Sequence, residues 1–153
     1  MNKIMVITGG SRGIGAATAF FAARDSYDVC ITYRINQEAA DRVVDEIKSH
    51  GVKGIAVKAD LSIETDILRL FNTVDQQLGP ITALVNNAGI LEQQMWLDEM
   101  TSDRLNRIFT VNITGSFLCA REAVKRMSTR YGGRWYGFNM LNPYHRIMEE
   151  MIC

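Results

Sequence analysis

The chain opens on Lys3-Ile4-Met5-Val6-Ile7, a short apolar run. It is followed at once by Thr8-Gly9-Gly10-Ser11-Arg12-Gly13-Ile14-Gly15 and then by Ala16-Ala17-Thr18-Ala19-Phe20-Phe21-Ala22-Ala23. The run is short and branched enough to be a buried parallel strand. The alanine-rich stretch predicts a helix. Strand, glycine turn and helix N-terminus in this order are what a dinucleotide pyrophosphate needs. The spacing is G-x-x-x-G-x-G, one residue longer in its first gap than the G-x-G-x-x-G fingerprint. Gly9 is expected to turn sharply, Gly13 to let phosphates approach, and Gly15 to let the helix pack close to the strand. The helix end would offer free N–H groups and a positive dipole end to the anion. Taken alone, the glycines also fit an ordinary strand-to-helix loop. A P-loop is excluded, because no Gly-Lys-Ser/Thr follows.

The alternation continues along the chain. Val29-Cys30-Ile31-Thr32-Tyr33 reads as a second strand. Residues 36 to 50 carry Ala40, Val43, Val44 and Ile47 at helical spacing, and Gly51 ends that helix. Ile55-Ala56-Val57 reads as a third strand. Ser62 is expected to begin a helix with the stripe Ile63, Ile67, Leu70, Phe71, Val74 and Leu78, stopped by Gly79-Pro80. Residues 81 to 85 read as a fourth strand, running into Asn86-Asn87-Ala88-Gly89. A long helical region is predicted from about Thr101, interrupted near Asn112, with Ile113, Phe117, Ala120, Val124 and Met127 on one face of its second part. Strand–helix alternation of this kind predicts an α/β fold, a parallel sheet with helices on both faces; the expected architecture is a doubly wound Rossmann-type sheet ordered 3-2-1-4. Residues 134 to 140 offer a fifth strand by their aromatics.

With 153 residues the chain fits one domain, and 47% hydrophobic residues suffice for a core. Seventeen basic and 17 acidic residues cancel. With no basic stripe, nucleic acid is not an expected partner. Cys30, Cys119 and Cys153 are scattered and show no C-x-x-C spacing, which argues against a disulfide framework or a metal site and for a reducing compartment. No run approaches the ~20 apolar residues of a membrane helix, and the N-terminus does not read as a signal peptide. A cytoplasmic location is expected.

Thr8-Gly9-Gly10-Ser11-Arg12-Gly13-Ile14-Gly15, Asn86-Asn87-Ala88-Gly89 and Val111-Asn112 occur in this order. Together they resemble the short-chain dehydrogenase/reductase family. The resemblance runs from Met1 to about Gly133 and extends to Asp60-Leu61 and Arg121-Glu122-Ala123-Val124. It implies roles. Gly9, Gly13 and Gly15 would line the pyrophosphate, Ser11 and Arg12 would lie over the phosphates, and Ile14 would sit near the nicotinamide side. Asp60 would accept a hydrogen bond from the adenine amino group, with Leu61 beside it. Asn87, Ala88 and Gly89 would hold the ribose side of the cofactor. Asn112 resembles the family's catalytic asparagine, which kinks its helix and holds a water in the proton relay. The residues alone also allow Asn112 as a local backbone partner and Asp60 as a turn or helix cap. The helix at about 113–130 resembles the family's subunit-contact helix, which would allow a homo-oligomer. Its apolar stripe reads equally as core, the preferred reading.

Charge bears on cofactor choice. A site for NAD usually ends the second strand with an acid that bonds the ribose hydroxyls. Here that place holds Tyr33-Arg34, with no acid until Glu38. Arg34 and Arg12 suit the 2′-phosphate of NADP by charge and bidentate geometry, so NADP(H) is expected over NAD(H). A solvated surface Arg34 is the competing reading.

The resemblance also implies a catalytic Ser and a Tyr-x-x-x-Lys pair after the fifth strand. Tyr131 is followed four residues on by Trp135, Tyr136 by Met140 and Tyr144 by Met148, so no such pair stands here. Residues 134–153 also shift in composition. The expectation is a family member truncated or frame-shifted after about Gly133, with 1–133 as the dinucleotide-binding domain and 134–153 as an atypical tail. A genuine short protein that keeps the nucleotide-binding half is the other reading. The implied function is hydride transfer between NADPH and a carbonyl or alcohol in the full-length relative. The alternatives are an inactive nucleotide-binding fragment and a dimerising interaction module.

Overall fold

The computed structural model describes residues 3–133 and a strand at 138–140. The first run forms β1, Lys3–Ile7, and the alanine-rich stretch forms α1, Gly13–Arg24. There follow β2 (Tyr27–Tyr33), α2 (Gln37–Ser49), β3 (Gly54–Lys58), α3 (Glu64–Gln77) and β4 (Ala83–Asn86). Then come α4 (Ser102–Phe109) and α5 (Ser116–Met127), joined by a π-helical segment at Thr110–Gly115, and finally β5 (Phe138–Met140). The sheet order is β3-β2-β1-β4-β5, and every pairing is parallel. This is the Rossmann-type order expected from the alternation of elements. The fifth strand is the last three residues of the stretch proposed for it. The remainder of that stretch and the tail from residue 141 lie outside the described residues.

Two cores flank the sheet. Alternate side chains of each strand point to opposite faces. Ile4, Val6 and Cys30 join Ile67, Leu70, Phe71 and Val74 of α3 and Cys119, Ala123 and Met127 of α5. Ile7, Val29 and Ile31 join Ala16, Ala19 and Ala23 of α1 and Ala40, Val44 and Ile47 of α2. The alanines of α1 let its axis lie close over β1 and β2. Both faces of β2 are covered, which is why its sequence is almost continuously apolar.

Three boundaries differ from the sequence reading. Helix α3 starts at Glu64, not at Ser62. The Ser62 N–H and hydroxyl both donate to Asp60 Oδ1, at 2.9 and 2.7 Å, so Ser62 belongs to an Asx turn that precedes the helix. Ile63 is the extended residue before the first turn and is exposed. Strand β4 begins at Ala83, because Thr82 is spent on a side-chain exchange with the Ile4 backbone.

The third difference is the face of α5. Its buried residues are Ser116, Cys119, Ala120, Glu122, Ala123 and Met127, whereas Ile113, Phe117 and Val124 are half-buried. Ala120 and Met127 of the expected stripe are buried, whereas Ile113 sits inside the π segment, where the extra residue per turn rotates its register. Small residues on the buried face bring α5 close to the sheet.

Candidate functional site

A cleft of about 580 Å³ opens above the C-terminal ends of β1, β2, β3 and β4. Parallel sheets place ligand sites there, where the strand order reverses between β1 and β4. Its walls include Gly9, Ser11, Arg12, Gly13 and Ile14 from the first turn, and Arg34 from the end of β2. Asp60 and Leu61 come from the end of β3, and Asn87, Ala88 and Gly89 from the end of β4.

The glycine turn is held by threonines. The Gly9 N–H donates to Thr32 Oγ1 at 2.9 Å, and the Gly10 N–H donates to the Thr32 carbonyl at 2.9 Å. The Thr8 hydroxyl oxygen accepts the N–H groups of both Asn87 and Ala88 at 3.0 Å. Asn87 answers through its side chain, donating Nδ2 to the carbonyls of Thr8 and Gly9 at 2.9 and 3.0 Å. Four polar contacts therefore lock the β1 turn to the β4 turn. Asn87 spends its amide nitrogen on this lock, and the residue still lines the cleft.

Two glycines differ in what they allow. Gly13 has φ +56°, and a Cβ there would meet no atom within 4 Å. Its missing side chain leaves space on the cleft side. Gly15 does not line the cleft. It is buried, and a Cβ there would stand 2.4 Å from the Gly9 carbonyl oxygen and 2.5 Å from Asn87 Nδ2. Its role is to seat α1 against the two turns.

The N-terminus of α1 is open. Its capping residue Arg12 has extended backbone and makes no side-chain cap, and no acid stands in the first turn. The helices α2 and α4 are capped by Asn36 and Thr101, and α2, α3 and α4 all carry an acid in the first turn. The first-turn donors of α1 are thus left without the side-chain acceptor that α2 and α4 have.

Arg34 and Asp60 face each other across the adjoining wall, Nη1 to Oδ2 at 3.8 Å. The Asp60 N–H donates to Asp66 Oδ2 at 2.9 Å. That backbone bond, with the hydrogen bond from Arg69, holds the Asp66 carboxyl below the usual carboxylate range. Asp60 is thus a turn residue and a cleft residue at once.

Asn112 lies in the π segment, behind Gly89 and Ile90, and does not line the cleft. Its Oδ1 accepts the Ile90 N–H at 2.8 Å and its Nδ2 donates to the Ile90 carbonyl at 3.0 Å. Its own carbonyl accepts the Ser116 hydroxyl at 3.0 Å. Gly115, at the end of the same segment, lies so close to the β3–α3 turn that a Cβ would stand 2.5 Å from the Leu61 carbonyl oxygen.

Several residues of the site escaped sequence reading. Thr8 and Thr32 shape it through backbone bonds. Ile35, Asn36 and Val111 line it. Asn36 had a local signal, a polar residue just before a helical stripe, which also makes it the cap of α2. Thr32 had none, since a threonine in a strand is ordinary.

The short chain dehydrogenase family pattern matches residues 3–135. An uncharacterized oxidoreductase of Escherichia coli K12, YgfF, is 46% identical over 130 residues, covering 85% of this chain and 53% of that protein. A short-chain type dehydrogenase/reductase of Picea abies is 39% identical over 139 residues, covering 86% of this chain and 51% of that protein. A solved short chain dehydrogenase of Burkholderia cenocepacia, in complex with NADP, superposes with TM-score 0.77 at 36% identity, covering 81% of this chain and 50% of that one. The chain thus spans about half the length of the relatives it matches. Motif order, sheet order and similarity over 133 consecutive residues agree: the chain belongs to the short-chain dehydrogenase family.

Proposed function

We propose that the cleft binds a nicotinamide dinucleotide, NADP(H) in preference to NAD(H). In this reading the chain is the cofactor-binding half of an oxidoreductase whose full-length form passes hydride between that cofactor and a carbonyl or alcohol. The observation that carries the proposal is the N-terminus of α1, uncapped and free of acids, beside the open cleft face of Gly13. An anion is the natural partner for such a helix end. When bound, the nicotinamide would supply or accept the hydride.

The residues present fit the cofactor. Gly9, Ser11, Arg12 and Gly13 would hold the pyrophosphate, and Ile14 would lie toward the nicotinamide. Asp60 would take the adenine amino group, with Leu61 beside it, and Asn87, Ala88 and Gly89 would follow the ribose. Gly15 would act through the seating of α1. Asn112 would act from behind, by fixing Ile90 and by holding a water in the proton relay. The preference for NADP(H) rests on Arg12 and Arg34, both lining the cleft, and on the absence of an acid at the end of β2. The complex of the Burkholderia relative with NADP agrees with it.

Titrating NADPH fluorescence against the purified chain tests this. A saturating response stronger for NADPH than for NADH is expected, and no response at millimolar cofactor overturns the proposal. None of the five tyrosines is followed four residues on by lysine. Hence no turnover of carbonyl substrates above a buffer blank is expected of this chain by itself.

A homo-oligomer through residues 113–130 fits the half-buried Ile113, Phe117 and Val124, together with α4, which buries none of its residues. Light scattering reads it directly. No helix among the described residues is long and apolar enough to cross a membrane. The buried free thiols of Cys30 and Cys119 suit a cytoplasmic setting.

A further inference from the structure

We infer that Asp60 is the counter-ion of Arg34 in the cleft wall, and that this pair, rather than Arg34 alone, sets how strongly a 2′-phosphorylated adenosine is preferred. The inference rests on the nucleotide-binding reading above and assigns a selectivity role within that site.

The two members of the pair are held very differently. Asp60 is fixed. Its Oδ1 accepts both the N–H and the hydroxyl of Ser62, and its own N–H is tied to Asp66. Its Oδ2 is the oxygen turned toward Arg34, 3.8 Å from Nη1. Arg34 is loose. Its side chain is 55% exposed, and the contact to Asp60 is longer than a hydrogen bond. An exposed ion pair of this length orients a guanidinium weakly. It does place a carboxylate beside the cation that a 2′-phosphate would use.

A 2′-phosphate entering the cleft therefore competes with Asp60 for Arg34 and is repelled by the carboxylate. A ribose with a free 2′-hydroxyl meets neither effect. Any contact between Asp60 and the adenine ring is common to both ligands and cancels in their ratio. The ratio of affinities thus isolates the electrostatic role from the contact role.

The test uses the full chain with adenosine 2′,5′-bisphosphate and adenosine 5′-monophosphate, titrated by calorimetry at low salt. Asp60→Asn keeps an Oδ1 for the Ser62 turn and removes the charge. It is expected to raise the ratio of bisphosphate to monophosphate affinity by about fivefold, even where both affinities drop. In the Arg34→Gln background the same substitution should raise the ratio by clearly less than in wild type, because the contested cation is gone and only the direct repulsion remains. Added salt should shrink the difference between wild type and Asp60→Asn. If Asp60→Asn does not fold, Asp60→Ser retains a hydroxyl acceptor for the turn and carries the same expectation.

An unchanged or lowered ratio in the neutral variants overturns the inference. A lowered ratio would make Asp60 a residue that positions Arg34 for the phosphate. Failure of the wild-type chain to bind either ligand overturns the nucleotide-binding reading and this inference with it. Binding of both by wild type with no change of ratio in the variants overturns this inference alone.

Discussion

The carboxamide of Asn112 is bonded at both ends to the backbone of Ile90, receiving its N–H at 2.8 Å and donating to its carbonyl at 3.0 Å. The pair joins residues 22 apart, one in the π segment between α4 and α5 and one in the loop that leaves β4. Such a double exchange with one partner is the pattern of a hydrogen-bonded pair between antiparallel strands, made here by a side chain. Asn112→Leu keeps the volume and removes both bonds. It is expected to cost about 2 kcal/mol of stability, read from denaturant midpoints. Loop residues beyond Ile90 should also be cut faster by a nonspecific protease in the variant than in wild type.

The two glycines that flank Ile14 should respond in opposite ways. Gly15→Ala drives a methyl into the Gly9 carbonyl and the Asn87 amide, so the two turns must part. We expect a loss of about 1–3 kcal/mol of stability and of nucleotide binding together. Gly13→Ala meets open space and carries only the strain of its positive φ, about 1 kcal/mol. Its melting temperature should stay near that of wild type while NADPH affinity falls. Parallel melts and titrations separate the two.

Glu122 is nearly buried on α5 and accepts from Lys125 at 2.8 Å and from Arg121 and Arg126 at 3.1 Å. Burial by itself would raise its pKa, but the hydrogen bonds of Lys125 and Arg126 outweigh burial and hold it below the usual glutamate value. With the folded-state pKa below the unfolded one, the unfolded chain binds more protons as acid is added. Stability is therefore full above the ordinary glutamate pKa and falls as pH drops through the folded-state value. Glu122→Gln should cost about 2 kcal/mol near neutrality and much less in acid. Urea midpoints for both proteins between about pH 6 and pH 3 check the convergence.

Cys30 and Cys119 are free and buried. Burial pushes the Cys119 thiol up to about 12, assisted by the nearby Glu122 charge, and pushes Cys30 further still. Thiolate is the reactive form, so neither should label in the folded protein. In a Cys153→Ser variant, a chromogenic disulfide reagent at mild alkaline pH should find no thiol until denaturant is added, and then two. Rapid labelling without denaturant would contradict the burial of β2 and α5.

The layers were legible because the strands are short, mostly apolar runs and because α2 and α3 carry apolar stripes that the sheet covers. Much of the cleft lining was legible too, because Gly9 and Gly13 belong to the glycine turn between β1 and α1, and because the family resemblance pointed to Asp60 and Asn87 after β3 and β4. What escaped was set by geometry without a sequence period. Thr8 and Thr32 act through hydroxyls within strand ends, where threonine is common for other reasons. The buried face of α5 was read only in part: Ala120 and Met127 are buried as expected, while Ile113 falls in the π segment, which breaks the spacing on which periodicity relies. The start of α3 escaped because Ser62 serves the Asp60 turn, and a serine before a helical stripe looks the same in either role.

The lock between Thr8 and Asn87 has a consequence for the order of assembly. Its hydrogen bonds span 79 residues, whereas the β1–β2 pairing brings together residues 24 apart. A chain that has folded only through β2 and β3 has one lip of the cleft and no other. The pocket exists as a binding surface only after β4 has docked on the far side of β1. A nucleotide can therefore stabilise by mass action only conformers in which that late, long-range pairing is already made. In hydrogen exchange, saturation with ligand should slow the opening of β4 as much as that of β1.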